Sequence, residues 1–395
     1  MVDKVVITGL GVVSSLGIGV NENICALQNG KTGITTVKYL NTRLRDEFVL
    51  GEVKYSNEEL KSLLTIDNNK LVSRTSLLAF LAGSEAVEMA GLSPDEIKSC
   101  ALISGTTVGG MDLTEQIPNF NSEKKLYEIL TLHPCGDCTE KLAAFLSVEG
   151  FVTTYSTACS SAANAIMLGA RMIKSGYVDR VIAGGVDALS AFTLNGFNSL
   201  MILDREHCRP FDKTRAGLNL GEGAGFVVLE AEKIAKPNKA LVFLSGYANS
   251  NDAYHQTASS PEGVGAMQSM KKALDIAGIS VNDISYINAH GTGTPNNDSS
   301  EAKAIASLFG ENVPPFSSIK SFTGHTLGAC GGIEAVFSVK AILDQEIYSG
   351  LNFATADDDI NICPLRLNRK AEVNHVLSNS FGFGGNNSTL IFSKI

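Results

Sequence analysis

One thiol and two imidazoles stand where this chain could carry out covalent chemistry. Cys159 lies in Tyr155-Ser-Thr-Ala-Cys-Ser-Ser-Ala-Ala-Asn-Ala-Ile166. A short apolar strand, 151–155, leads into it, and a helix of small residues follows. The turn between them sets the thiol at a helix N-terminus, whose positive end favours a thiolate. A cysteine so placed suits covalent catalysis. A buried structural cysteine is the commoner fate of a free thiol. His290 lies in Asn288-Ala-His-Gly-Thr-Gly-Thr-Pro295, and His325 in Lys320-Ser-Phe-Thr-Gly-His-Thr-Leu-Gly-Ala-Cys-Gly-Gly-Ile-Glu334. Loops after strands are where α/β proteins place functional groups, and glycines there let backbone approach a ligand. Either histidine alone could simply stabilise its loop. Three such loops in one chain point to an active site.

The residue types suggest a reaction. A thiolate can accept an acyl group as a thioester. A second substrate must then supply a carbanion. Two imidazole Nε2 donors suit the enolate oxygen left by loss of carbon dioxide. A Cys-His-Asp hydrolase is the competing reading, but it leaves the second imidazole and Lys320 without a task. Lys320 and Glu334 flank His325 and form either an orienting ion pair or an ordinary structural one. Cys330, among small residues, reads as a packed side chain. Cys135-Gly-Asp-Cys138 has His133 nearby but no second Cys-x-x-Cys, and reads as a structural loop, with no metal site expected.

These groups need a scaffold. The first half reads as strand 5–8, a glycine-rich turn 9–17 and helix 20–29. The glycine spacing is wrong for a dinucleotide fingerprint. Helix 69–88, strand 99–105, helices 123–132 and 139–146, strand 151–155, a helix to about residue 174, and strands 180–184 and 226–230 follow. The polar stretch 231–239, with Pro237, is the candidate boundary between halves 1–240 and 241–395. The second half reads as strands 241–247, 284–288, 316–319, 376–378 and 388–392 with helices 263–277, 300–309 and 332–343. Strands alternating with long helices imply α/β layering. Each half opens on an apolar strand and carries a candidate catalytic loop, which suggests duplication.

Composition narrows the function classes. A net charge of -9 over 395 residues argues against nucleic acid and membrane surfaces as partners. No apolar run approaches the roughly 20 residues of a membrane helix. The start of the chain reads as a strand and not an export signal, so the cytoplasm is the expected location. Eight scattered cysteines suggest reduced thiols.

Together the segments resemble the β-ketoacyl-acyl-carrier-protein synthases of the thiolase-like condensing-enzyme superfamily. The resemblance spans the chain through Val6-Ile-Thr-Gly-Leu-Gly11, Thr157-Ala-Cys-Ser-Ser161, Val181-Ile-Ala-Gly-Gly185, Arg209-Pro-Phe-Asp212, Leu220-Gly-Glu-Gly-Ala-Gly225, Asn288-Ala-His-Gly-Thr-Gly-Thr294, Lys320-Ser-Phe-Thr-Gly-His325 and Asn379-Ser-Phe-Gly-Phe-Gly-Gly385. It implies a five-layered αβαβα fold of two similar halves, working as a dimer without a cofactor. Substrates would arrive on the phosphopantetheine arm of an acyl-carrier protein. By the same resemblance Cys159 is the nucleophile, with His290 and His325 as its paired histidines, and Lys320 and Glu334 support His325. Backbone N–H groups of Cys159 and Phe383 form an oxyanion site, Phe381 gates the acyl pocket, and Thr292 and Thr294 contact the pantetheine arm. Lys70, Arg74 and Arg205 are the expected basic docking residues for an acidic carrier.

The initiating class of the superfamily carries asparagine where His325 stands, and thiolases carry a second cysteine in the late glycine loop. The elongating Cys-His-His class is therefore indicated. Gly384-Gly-Asn-Asn387 and Gly217-Leu-Asn219 depart from the usual Gly-Gly-Thr-Asn and Gly-Phe-Val. These departures are similar to aryl-polyene or dialkylresorcinol-type synthases. They imply either a homodimer or a heterodimer with a cysteine-less chain-length partner. A mainly structural condensing-type subunit is the rival from another class.

Overall fold

The computed structural model describes residues 4–117, 122–236 and 238–395. Pro237, on which the expected boundary partly rests, and the first three residues lie outside the described residues. Thirteen strands are described: β1 (Val5–Ser14), β2 (Gly17–Ile18), β3 (Ala101–Gly105), β4 (Val152–Tyr155), β5 (Arg180–Asp187), β6 (Gly223–Ala231), β7 (Val242–Asn251), β8 (Tyr286–Asn288), β9 (Phe316–Ser317), β10 (Glu346–Ile347), β11 (Arg369–Lys370), β12 (His375–Gly382) and β13 (Asn386–Lys394).

The hydrogen-bonded order is β4-β3-β5-β6-β1-β7-β13-β12-β8-β9, with β2 paired to β1 and β10 to β11 as a separate ribbon. Counted within each half, with β2 and the β10–β11 ribbon left aside, both sides read third, second, fourth, fifth, first from the outer edge inward. In both, the fifth strand runs antiparallel to its neighbours: β6 to β5 and β1, β13 to β12 and β7. The second and third strands pair in parallel in each half. The two first strands meet antiparallel, Val6 opposite Phe243 and Ile7 opposite Val242. The duplication suggested by the sequence is thus visible in topology.

Helices complete five layers. Helices Ser161–Lys174 and Cys330–Asp344 touch each other and strands of both halves, so they form the central layer. Arg74–Ala90 and Cys135–Leu146 cover the outer face of the first half. Val264–Ala277, with Pro295–Phe309 packed on it, covers that of the second. This is the thiolase-like architecture. Ile166, Met167, Ile333, Val336 and Phe337 bury against Ile7, Val227 and Leu229. A Cβ on Gly225 would stand 2.3 Å from the Gly332 carbonyl carbon, so glycine at that crossing sets how closely sheet and central helix approach.

Several expected elements shift. The stretch 9–17 is not a turn after a short strand, because β1 runs through to Ser14. Its glycines serve helix packing: Cβ atoms on Gly9 and Gly11 would lie 2.0 Å from Ala86 O and 1.9 Å from Ala82 O. The helix expected from residue 69 starts at Arg74, where the Ser73 side chain accepts the Ser76 N–H. Cys135-Gly-Asp-Cys138 opens a helix instead of forming a loop. Helix Ala191–Ser199 was not expected. All eight cysteines are unpaired. Among the described residues no helix is long and apolar enough to cross a membrane.

Candidate active site

The first half supplies the thiol. β4 ends at Tyr155, and the chain turns sharply through Ala158, whose φ of 53° is uncommon for a residue with a side chain. The turn is held locally. Ser160 Oγ donates to Thr157 O at 2.7 Å, and Ser161 Oγ donates to Ala158 O at 2.6 Å while accepting the Thr157 N–H at 2.9 Å. Cys159 emerges from this turn, 7% exposed, just before the helix that begins at Ser161.

The second half supplies both imidazoles. His290 follows β8. Its backbone N–H and that of Gly291 both donate to the Glu301 carboxylate at 2.8 Å. Asp298 accepts from the Thr292, Gly293 and Phe211 N–H groups in the same way. His325 follows the short helix Lys320–Thr323. Its Nδ1 accepts the Leu327 N–H at 3.0 Å, which assigns the ring proton to Nε2. The two rings meet edge to face, centroids 5.4 Å apart and planes at 87°. Cys159 Sγ and a nitrogen from each ring lie within 4.8 Å of one another.

Electrostatics keep His290 neutral. Burial, then the Lys320 ammonium and His325, push His290 well below the ordinary imidazole range. Lys320 donates to Glu334 and, at 2.7 Å, to the His290 carbonyl. Burial disfavours its charge, but anionic neighbours, Glu334 foremost, more than offset this and hold Lys320 above the usual lysine range. A Cys-His-His cluster has the composition of a metal site. Here His325 presents Nε2–H and not a lone pair, so the third ligand is missing and the cluster fits an oxyanion better than a cation.

A cavity of about 340 Å³ opens on the three groups and is walled by Thr292, Thr294, Phe381 and Phe383. Gly382 brings the late loop against the nucleophile: a Cβ there would lie 3.1 Å from Cys159 N. Phe383 stacks on Phe197 with centroids 5.8 Å apart. Phe381, the expected gate, lines the same cavity. It is held in β12 opposite Asn387, 5% exposed, with its ring 5.9 Å from His290. Phe383 lies just past the end of β12, next to Gly384 and Gly385 with φ of 80° and 75°, conformations that glycine adopts readily.

Of the expected docking residues, Lys70 and Arg205 are exposed, and Arg205 meets Glu47 at 3.2 Å. Arg74 is a correction. It is buried, forks onto Glu222 at 2.7–2.9 Å and also donates to Val53 O and Tyr55 O. A guanidinium so enclosed is structural and unavailable to a carrier. In the Cys-x-x-Cys segment, burial pushes the Cys138 thiol up to about 12. His133 turns its Nδ1 to Thr114 Oγ1 at 3.0 Å. Burial likewise pushes Cys330 up to about 12, 3.6 Å from His325 Nδ1.

The sequence reading missed Asp298 and Glu301, though two acids on the first turns after a glycine-rich loop are a usable signal for backbone clamping. It also missed Asp187, the last residue of β5. That carboxylate accepts from Thr106 Oγ1 and Thr107 Oγ1 at 2.6 Å, Thr107 N at 2.9 Å, Val108 N at 3.1 Å and Gly328 N at 2.6 Å.

Family models agree with this arrangement. The β-ketoacyl synthase N-terminal domain matches residues 2–235, and its C-terminal domain matches residues 241–354. The chain belongs to the β-ketoacyl synthase family. The synthase is 33% identical to the 3-oxoacyl-[acyl-carrier-protein] synthase 2 of Staphylococcus aureus (strain COL), over 99% of this chain and 98% of that protein. It is 31% identical to the Vibrio cholerae protein of the same name, over 99% of each. Among solved structures it is similar to the ishigamide ketosynthase/chain length factor, with TM-score 0.92, 31% identity and all of both chains covered. It is also similar to the ketosynthase ApeO in complex with its chain length factor ApeC from Xenorhabdus doucetiae. There the TM-score is 0.85 and the identity 32%, over 100% of this chain and 98% of that one. The synthase carries the family's Cys-His-His set, and its reaction is condensation of carrier-bound acyl groups.

Proposed function

We propose that the synthase lengthens a carrier-bound acyl chain by decarboxylative Claisen condensation. The observation that carries this reading is the pair of neutral imidazoles beside one thiol, with His325 fixed as an Nε2 donor. Cys159 attacks the acyl thioester, and the carrier leaves as its free thiol, taking the proton the cysteine gives up. Malonyl-carrier protein then loses carbon dioxide. The C–C bonding pair becomes an enolate whose oxygen accepts from the His290 and His325 Nε2–H groups. The enolate carbon attacks the Cys159 thioester. The tetrahedral oxyanion accepts from the backbone N–H groups of Cys159 and Phe383, and collapse expels the thiolate, which regains a proton from solvent. Residues 1–240 contribute the nucleophile and 241–395 the histidines. Thr292 and Thr294, at the cavity wall, contact the pantetheine arm.

A heterodimer with a cysteine-less chain-length partner is the assembly best supported. The two similar solved complexes named above pair a ketosynthase with a chain length factor. The outer edge strand β4 is only half-buried, and Phe151 beside it is 50% exposed, so this edge offers unpaired backbone and apolar surface to a partner. The departures at Gly384-Gly-Asn-Asn387 and Gly217-Leu-Asn219 extend this reading to a specialised polyene-type chain in place of a housekeeping fatty acid.

Intact-mass analysis tests the reading. Incubation with acyl-carrier protein should give an acyl adduct that Cys159→Ala abolishes. Addition of malonyl-carrier protein should then release carbon dioxide and a product two carbons longer. No adduct with any primer tried from short, long and aryl classes would refute the covalent mechanism and favour the structural-subunit rival.

A further inference from the structure

The His325 tautomer depends on a turn in an unfavourable backbone conformation, whose own backbone bond is Ala329 N–H to Thr326 O at 3.0 Å. Leu327 has φ of 52°, in the left-handed region that a branched apolar side chain rarely occupies. Its N–H is the one that donates to His325 Nδ1. The next N–H, of Gly328, donates at 2.6 Å to Asp187 Oδ2. Asp187 belongs to the first half, is 0% exposed, and is gripped from the other side by Thr106, Thr107 and Val108. Each of these five contacts is a donor facing the carboxylate, so Asp187 acts as a fixed acceptor. Gly328 leaves no room for slack: a Cβ there would stand 2.8 Å from Asp187 Oδ2.

We propose that Asp187 is a positioning residue for the decarboxylation step, anchoring the Leu327–Gly328 turn so that the Leu327 N–H stays on His325 Nδ1. The inference rests on the functional reading above. Without that anchor Leu327 relaxes toward negative φ and its N–H leaves Nδ1; the weak Cys330 thiol donor at 3.6 Å is a poor substitute, and the ring proton redistributes between the two nitrogens. Enolate stabilisation then falls. Acylation of Cys159 draws on the Ala158 turn and the Ser160 and Ser161 hydroxyls, none of which Asp187 touches, so it persists.

The test uses the full-length synthase in its native assembly and two perturbations of the same contact, Asp187→Asn and Gly328→Ala. The second perturbs the contact even if the first fails to fold. Thr107→Val, which removes one donor on the far side, serves as control. Three quantities are measured: carbon dioxide release from malonyl-carrier protein, Cys159 acylation in single turnover, and the His325 tautomer in nitrogen-15-labelled-histidine spectra. Carbon dioxide release should fall about tenfold to a hundredfold in both variants, the range for losing a group that fixes a catalytic histidine. Acylation should stay within about threefold, and the Nε2–H signature should give way to mixed tautomers. Parallel loss of both steps, or an unchanged tautomer, overturns the inference. If the wild-type synthase releases no carbon dioxide while both variants still change the tautomer, the functional reading fails and Asp187 keeps only its hold on the His325 ring.

Discussion

Replacing Glu334 by leucine strands the Lys320 ammonium in the protein interior. The two side chains are 2% and 1% exposed. Among the described residues, Lys320 Nζ donates to Glu334 and to the His290 carbonyl. Removing one partner of such a buried pair costs about 3–5 kcal/mol, because the remaining charge keeps its desolvation penalty and loses its compensation. Lys320→Met should cost a similar amount by stranding Glu334, whose other oxygen accepts a long 3.5 Å bond from Ser380 Oγ. The double variant removes both charges, so its stability should return to within about 1 kcal/mol of wild type or exceed it. Activity should not return with it. Methionine cannot donate to the His290 carbonyl, so the histidine loop stays unanchored and condensation remains at least about tenfold down. Guanidinium unfolding followed by circular dichroism at fixed protein concentration gives the stabilities; single-turnover condensation gives the rates. Two results would refute the reasoning: a double variant as unstable as the sum of the singles, or a condensation rate that recovers along with stability.

Three further outcomes follow from the site. Gly382→Ala should slow Cys159 acylation about a hundredfold in stopped-flow assays, since its Cβ would press on Thr157 O and Cys159 N and shift the oxyanion donors; an unaltered rate would place the oxyanion elsewhere. His290 is held below the ordinary imidazole range, so its neutral form persists as pH falls through about 6.5. The decarboxylation rate should show no His290-dependent inflection there, and one that vanishes in His290→Asn would contradict the assignment. Arg205→Glu should raise KM for carrier-bound substrate severalfold at low salt and much less at high salt; an unchanged KM removes Arg205 from the docking surface.

Cys159, His290 and His325 were legible because each sits in a small-residue or glycine-rich segment after an apolar strand, a pattern that local sequence carries. The layered α/β class was legible for the same reason. What failed was whatever depends on partners distant in sequence. Gly9 and Gly11 read as a turn, since nothing nearby announces that Ala82 and Ala86 will press on them. Arg74 read as a surface cation because its partner Glu222 is 148 residues away. Phe381 and Phe383 are two residues apart, and only the strand register shows that Phe381 sits inside β12 while Phe383 lies past its end. Asp187 has no motif at all; its role rests on loops 80 and 141 residues distant.

β1 and β7 hold the same place in their respective halves, and they pair with each other. The seam closes the open edge that each half would otherwise present, and it divides the chemistry, with the thiol on one side and both imidazoles on the other. A fragment ending before β7 would bare a strand edge and carry a nucleophile with nothing to receive an enolate. In evolutionary terms the seam works as a ratchet. Neither half can be discarded, because each holds part of the site, and a shared strand order does not require the two halves to share residues. That is why the symmetry of this chain is plain in its topology and faint in its sequence.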